Sequence, residues 1–438
     1  MPPRRSPHLR RPAALVFYDH PEREHGALTA LYDELAPTWN VGFRSIHFET
    51  ASAALWALRH RPRVIVLPQC YGPSHLERIL PVLAAAPSAQ VLITHEEQLT
   101  IPIFHDFLWP SDPASLAVLR ACGHVVWNDD SARILDGQGI GGDQIFVCGH
   151  LRSAVRDHAR SPENRSRLAT RWGVDPAKKW ILFAENRTAL LAMNDHDRRE
   201  FTASGVSDSD LTQLLEEARA GVDSLMHDLA ELGRLRPDLL DHVEFIYRPH
   251  PGKNVAVDLP DWAHSIGDGD IHDWLSAADV YATHQSTSIF EAALYELPCF
   301  RVGPSTPAYT IRSLADIPVA HEGIRTVFEA AGTPRDDLLR TTEVARVARD
   351  TLGDPGRVMA NYVQAFTSIS KRSSPARLRG RGFSVLRGVL LMPRRLSYEL
   401  ASWLTVRSGL IRLIGFPRST ARALSQVPYA GSWKWPGT

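Results

Sequence analysis

The stretch DVYATHQSTSIFEAALYELPCF, Asp279 to Phe300, changes its period part-way along. "VYAT" is a short apolar run of the β-branched and aromatic kind that buried strands use. "STS" (Ser286, Thr287, Ser288) brings the small hydroxyl side chains that favour a helix N-terminus. "IFEAALYEL" reads as a helix, and Pro298 opens the exit into another apolar run, "PCFRVG". Strand, turn, helix and strand in this order make a βαβ unit, which implies parallel pairing.

The same alternation runs outward from this unit in both directions. Towards the N-terminus, "WILFAEN" and "VEFIYRP" are strands, separated by a long helical region near Asp208–Leu235. Further back come "ALVFYD", "GFRSIHF", "RVIVLP", "QVLITH", "HVVWND" and "QIFVCG", with helical stretches between the first four. A polar, charged stretch from Arg156 to Lys179 separates the two series. The expected fold class is α/β, with two Rossmann-like lobes and a cleft between them. The expected domains are a first lobe at 13–155, a second at 178–335, closing helices at 336–370 and a basic tail at 371–438.

The chain has 438 residues, 44% apolar and 22% charged, an ordinary globular composition. Its zero formal charge hides an asymmetry: residues 371–438 hold thirteen Lys/Arg and one acid, Glu399. That tail carries +12 and the remainder −12, and a basic end of this kind implies a polyanionic partner. On a helix, Leu396, Leu400, Trp403, Leu404, Ile411 and Ile414 fall along one side, with Arg394 and Arg412 opposite. Arg407 interrupts the apolar side and would have to snorkel. An anionic membrane surface is the expected partner, with packing on another subunit as the alternative; nucleic acid is not expected, because the apolar content is high and no recognition motif is present. Cys70, Cys122, Cys148 and Cys299 are widely spaced and fit a reducing compartment. Neither a secretory leader nor a spanning helix is expected, so the expected location is cytoplasmic, peripheral on the inner face of the membrane.

Three motif matches are decoys. "GQGIGG", Gly137 to Gly142, fits a dinucleotide fingerprint, but a helix precedes it and a strand follows, the reverse of the required context. "HEEQL" lacks the second histidine of a zinc motif. "DGD" at 268–270 reads as a Gly-rich turn with Asp270 as a helix cap. No metal or other cofactor is expected.

The chemistry is expected at strand ends. "YRPHPGKN" closes a strand with Arg248 and His250 between prolines. Arginine pairs with phosphate oxygens by a two-pronged fork, and histidine donates to a leaving phosphate near neutral pH. Ser286, Thr287 and Ser288 supply hydroxyls and free N–H groups for the same anion, and Glu291 a carboxylate for ribose hydroxyls. Glu96 and Glu97 follow "QVLIT"; adjacent carboxylates repel, which raises the pKa of one and prepares it to take a proton.

"RPHPGKN" followed by "WLSAADVYATHQSTSIFEAALYELPCF" resembles the C-terminal lobe of a group of GT-B-type bacterial transferases that make surface carbohydrate. The group takes in the surface carbohydrate biosynthesis family, polysialyltransferases, capsule Kdo transferases and, more remotely, CDP-glycerol glycerophosphotransferases. His250-Pro251 and Ser286-Thr287 match its two nucleotide-phosphate motifs. "THEEQL" resembles its acidic motif, with Gln98 where glycine is usual, and this favours Glu96 over Glu97 as base. "FVCGHLR" matches at Gly149 and Arg152 and departs at His150-Leu151. The resemblance implies a glycosyltransferase taking a nucleotide-sugar donor and a glycan or lipid-linked acceptor. The alternatives it leaves are a CDP-polyol phosphotransferase, a nucleotide-sugar 2-epimerase-like enzyme and a non-catalytic nucleotide-binding subunit.

Overall fold

A computed structural model describes residues 11–372, together with 388, 390–393, 395–397 and 399. Within the first span, residues 20, 48, 71, 97, 99–101, 156–157, 204–205, 251–254, 304–305, 307–308, 315–316, 318, 321–322 and 343 are excepted. Glu97, Pro251 and most of the basic tail therefore lie outside the described residues. The chain divides into two compact units.

Unit 1 takes in residues 1–98, 109–155 and 354–438. Its strands are β1 (Ala13–Tyr18), β2 (Asn40–Ser45), β3 (Val64–Leu67), β4 (Gln90–Ile93), β5 (Gly123–Val126) and β6 (Ile145–Val147). They pair in parallel in the order β2-β1-β3-β4-β5-β6. The uniformly apolar runs have their reason here: β1, β3, β4 and β5 are buried along their whole length, as parallel strands covered on both faces must be. The last helix of the unit, Pro355–Ser370, starts at an Asp354 cap and buries Val358, Tyr362, Ala365, Phe366 and Ile369 in the core beside β1, β3 and β5.

Unit 2 takes in 99–108 and 156–353. Its strands are β7 (Lys179–Ala184), β8 (Val243–Arg248), β9 (His264–Ser265), β10 (Val280–Thr283), β11 (Cys299–Val302) and β12 (Val319–Ala320). The order is β12-β11-β10-β7-β8-β9, again parallel throughout. Read from β9, this is the 3-2-1-4-5-6 order of dinucleotide-binding sheets, with the reversal of direction between β7 and β10.

The helix Asp208–Leu235 covers one face of this sheet. Ser207 caps it by accepting from the Asp210 amide, and Leu211, Leu214, Ala218, Val222, Leu225, Leu229 and Leu232 form its buried stripe. The expected βαβ unit at Asp279–Phe300 is present as β10, the helix Ser288–Leu294 and β11.

Two sequence expectations change. The polar stretch 156–179 holds a helix, Pro162–Trp172, docked within unit 2. Its charges are placed for that: Arg165 lies over the Trp180 ring at 4.4 Å and donates to Asp279 at 2.9 Å. The closing helices divide, with Arg335–Thr342 and Val344–Leu352 in unit 2 and Pro355–Ser370 in unit 1. The decoys fall where their context put them. Gly137 ends the helix Asp129–Gly137 ahead of β6, and Asp270 caps the helix Ile271–Leu275.

Candidate functional site

In unit 2 the strand order reverses between β7 and β10, and sheets of this topology bind ligands beyond the C-terminal strand ends at such a reversal. β10 ends in Thr283, whose hydroxyl donates to the Ala184 carbonyl at 2.7 Å and accepts from the Ser286 amide at 3.0 Å. This one side chain ties the turn 284–287 to the end of β7. The hydroxyls of Ser286 and Ser288 stand 2.6 Å apart, and Ser288 is 2.6 Å from the phenol of buried Tyr281. The expectation of Ser/Thr side-chain caps is corrected: Thr287 occupies the cap position without a side-chain bond to the helix. The physical reason is that Thr287 is itself helical, with φ −62° and ψ −20°, and lacks the extended backbone of a capping residue; Ser286 Oγ accepts from the Ser288 amide at 3.4 Å instead. Ser286, Thr287 and Ser288 remain half-buried at the head of the helix, while Glu291 is buried.

β8 brings the other expected residues to the same edge, on the far side of β7. His250 follows its end by two residues and is exposed. Arg248 differs from expectation. It is buried, and its guanidinium donates to the carbonyls of Asp268, at 2.9 Å, and Gly269. A buried guanidinium has to find acceptors within the protein, so the expected phosphate fork is a clamp on the 268–269 turn. The structure therefore brings His250 and the 286–288 turn to one rim and turns Arg248 and Glu291 inward.

Between them, sequence reasoning missed a buried pair. Glu185 follows β7 and His284 follows β10; both side chains are fully buried, with His284 Nε2 3.4 Å from Glu185 Oε2. His284 Nδ1 lies 2.8 Å from the Val302 carbonyl, which can only accept, so that nitrogen carries a hydrogen. Burial pushes the Glu185 carboxyl up, but His284, the Arg187 amide and the Arg187 charge outweigh it and hold the carboxyl below its ordinary range. Arg187 is itself buried and donates to the Glu217 carbonyl at 3.2 Å. The signal was a charged residue directly after each of two apolar strands, but nothing in one sequence pairs them.

In unit 1 the corresponding edge carries Asp19 after β1, His47 after β2, Gln69 after β3 and Glu96 after β4. His47 Nε2 meets Asp19 Oδ1, and Gln69 donates to Asp19 Oδ2 at 3.3 Å. Glu96 is half-buried; its carboxylate accepts from the Thr94 hydroxyl at 3.1 Å and its amide donates to the Pro68 carbonyl at 2.9 Å.

His95, ahead of Glu96, has φ +48°, a strained conformation for a non-glycine residue. Its ring is 2.9 Å from buried His124, whose other nitrogen donates to the Leu119 carbonyl at 2.8 Å. Desolvation holds both imidazoles down, His124 to about 4. Gln98, the departure from the acidic motif, is buried: it donates to the His95 and Val125 carbonyls and accepts from the Trp127 amide at 2.9 Å. It fastens the exit of β4 to that of β5. Among the described residues no group of three or more His, Cys, Asp or Glu is placed to hold a metal ion, and no helix is long and apolar enough to cross a membrane.

No family model and no curated protein matches the chain. Solved structures do. UDP-GlcNAc 2-epimerase from Neisseria meningitidis bound to UDP-GlcNAc is 12% identical, with TM-score 0.50 over 81% of this chain and 99% of that one. The wall teichoic acid polymerase TagF is 12% identical, with TM-score 0.50 over 82% and 88%. A further UDP-N-acetylglucosamine 2-epimerase is 12% identical, with TM-score 0.50 over 83% and 97%. At these identities the likeness is one of fold: two Rossmann-like lobes of the GT-B kind.

Proposed function

We propose that the chain is a GT-B-type glycosyltransferase that uses a nucleotide-activated sugar to build a bacterial surface polysaccharide or glycolipid. The observation that carries this reading is that His250, after β8, and the 286–288 turn, after β10, flank the end of β7 on the C-terminal edge of a 3-2-1-4-5-6 sheet. That edge offers an imidazole and hydroxyls, hydrogen-bonding partners for a diphosphate.

In the reaction, Glu96 takes the proton of an acceptor hydroxyl. The acceptor oxygen bonds to the anomeric carbon as the bond from that carbon to phosphate oxygen breaks. His250 stabilises or protonates the leaving phosphate. This chemistry does not require a metal, because hydrogen bonds meet the developing charge. The acceptor is a glycan or lipid-linked hydroxyl compound, and the basic region 371–438 holds the enzyme against the cytoplasmic face of the membrane.

Calorimetry of CMP, CDP, UDP and GDP against wild type and His250→Ala tests the donor site. One nucleotide should bind selectively, and the variant should weaken it by about 1.5–3 kcal/mol, the cost of losing one charge-assisted hydrogen bond. A folded protein that binds none of the four would refute the reading. A preference for CDP together with transfer of the polyol phosphate would replace glycosyl transfer by the reaction class suggested by the polymerase neighbour. Glu96→Ala should keep nucleotide affinity and lose roughly 10²–10⁴ of the transfer rate; full activity would remove Glu96 from the mechanism.

A further inference from the structure

Six large apolar side chains are exposed among the described residues, and four of them occupy one part of unit 1: Leu55 at 54%, Leu58 at 56%, Leu390 at 69% and Leu396 at 47%. Two contacts bring them together. Glu399 accepts from the amides of Ala51 and Ser52, capping the helix Thr50–His60, whose preceding residue Glu49 makes no side-chain cap. At the other end, Gly388 lies so close to the helix Leu80–Ala85 that an added Cβ would be 2.7 Å from the Leu80 carbonyl. The helices Thr50–His60 and Leu80–Ala85 pack on each other, with Glu399 against the first and Gly388 against the second.

The exposure is ordered. Gly388 is buried and Glu399 is turned towards the helix N-terminus, while Leu390, Pro393, Leu396 and Ser397 face out at helical spacing. Leu400 and Trp403 continue that spacing in the sequence. On the neighbouring helix Leu55, Leu58 and Arg59 are exposed, followed by exposed Arg61 and Arg63. Residues 371–438 hold thirteen cations and one acid, and that acid is the inward-turned Glu399. An apolar face beside exposed Arg59, Arg61 and Arg63, with the one acid of 371–438 withdrawn, is complementary to a lipid surface rich in anionic headgroups.

We propose that this face of unit 1, made jointly by the outer side of the helix Thr50–His60 and by Leu390, Pro393, Leu396 and Ser397, is the membrane contact. The inference rests on the membrane reading above and adds that the folded unit supplies part of the surface, with Glu399 joining tail to unit.

The test is cosedimentation of the full chain with vesicles of phosphatidylcholine alone, or of phosphatidylcholine with a third phosphatidylglycerol. Wild type should partition to the anionic vesicles and be released by salt. Leu55→Asp with Leu58→Asp, and separately Leu390→Asp with Leu396→Asp, should each lower the partition about tenfold or more. Exposed positions should leave the melting temperature unchanged. Leu235→Asp, equally exposed at 54% but in unit 2, should bind as wild type. Undiminished binding of the Leu55/Leu58 variant would overturn the inference while leaving the membrane reading intact. Failure of wild type to bind anionic vesicles would remove the membrane reading itself. A dimer broken by the Leu55/Leu58 variant, with vesicle binding unaffected, would assign the face to a second copy and overturn the inference.

Discussion

Asp279 accepts from Arg160 at 3.1 Å, from Arg165 at 2.9 Å and from the Trp180 amide at 2.9 Å. Burial alone would push its carboxyl up; the Trp180 amide and the two arginines outweigh this and hold it below the ordinary 3.8. A lowered folded pKa means stability that is present above the unfolded value and lost as pH falls through the folded one. Denaturation of wild type between pH 5 and pH 2 should therefore show unit 2 weakening below about pH 4, and Asp279→Asn should make that slope shallower, with the remainder owed to Glu185, whose carboxyl is also held low. The substitution leaves two half-buried guanidinium groups short of a charge partner, at a cost of about 1–3 kcal/mol near neutral pH. At this scale the sequence was only partly legible. The places of His250 and the serines just past strand ends were legible because prolines and hydroxyls there have local meaning. Arg248, Gln98, Glu185 and His284 take their roles from partners as distant as Asp268, Trp127 and Val302. No local pattern carries such pairings.

At the scale of elements, the ten apolar runs are all strands, because parallel strands buried on both faces leave an unbroken apolar signature. The two that escaped notice, β9 and β12, are two-residue edge strands, too short to show any period. The long helical region expected near Asp208–Leu235 has those bounds, and Ser207 caps it. What the sequence did not show is how tightly the elements meet. A Cβ at Gly221, on the helix Asp208–Leu235, would lie 1.4 Å from Arg187 Nη1. Gly221→Ala should therefore destabilise unit 2 by about 2 kcal/mol or more, although alanine is the better helix former by about 1 kcal/mol. Arg187→Ala in the same chain should recover part of the loss. A thermal double-mutant cycle measures the coupling, and simple additivity would show that the two side chains do not compete for that space.

At the scale of the whole molecule, the division into two α/β units was legible from the restart of the strand pattern at β7. The course of the last helix was not, because Pro355–Ser370 follows unit 2 in sequence and joins unit 1 in space. Phe366 is fully buried among the strands of unit 1 and meets Trp39 edge-on at 6.1 Å. Phe366→Ala should cost about 3–5 kcal/mol. Hydrogen exchange should show the loss in β1 to β5, with β7, β8 and β10 unchanged; equal loss in both sets would mean that the units do not melt separately.

The returning helix also constrains synthesis. Most of unit 2 is one uninterrupted span of chain, 156–353, whereas unit 1 lacks part of its core until residues 355–370 have left the ribosome. Domains made in order usually fold in order, the N-terminal one first. Here the earlier-made strands must wait, with Val16, Val66, Leu92 and Val125 lacking the helix that packs against them, while the later unit completes its sheet. The nascent chain is exposed to chaperones and proteases longest at its oldest end.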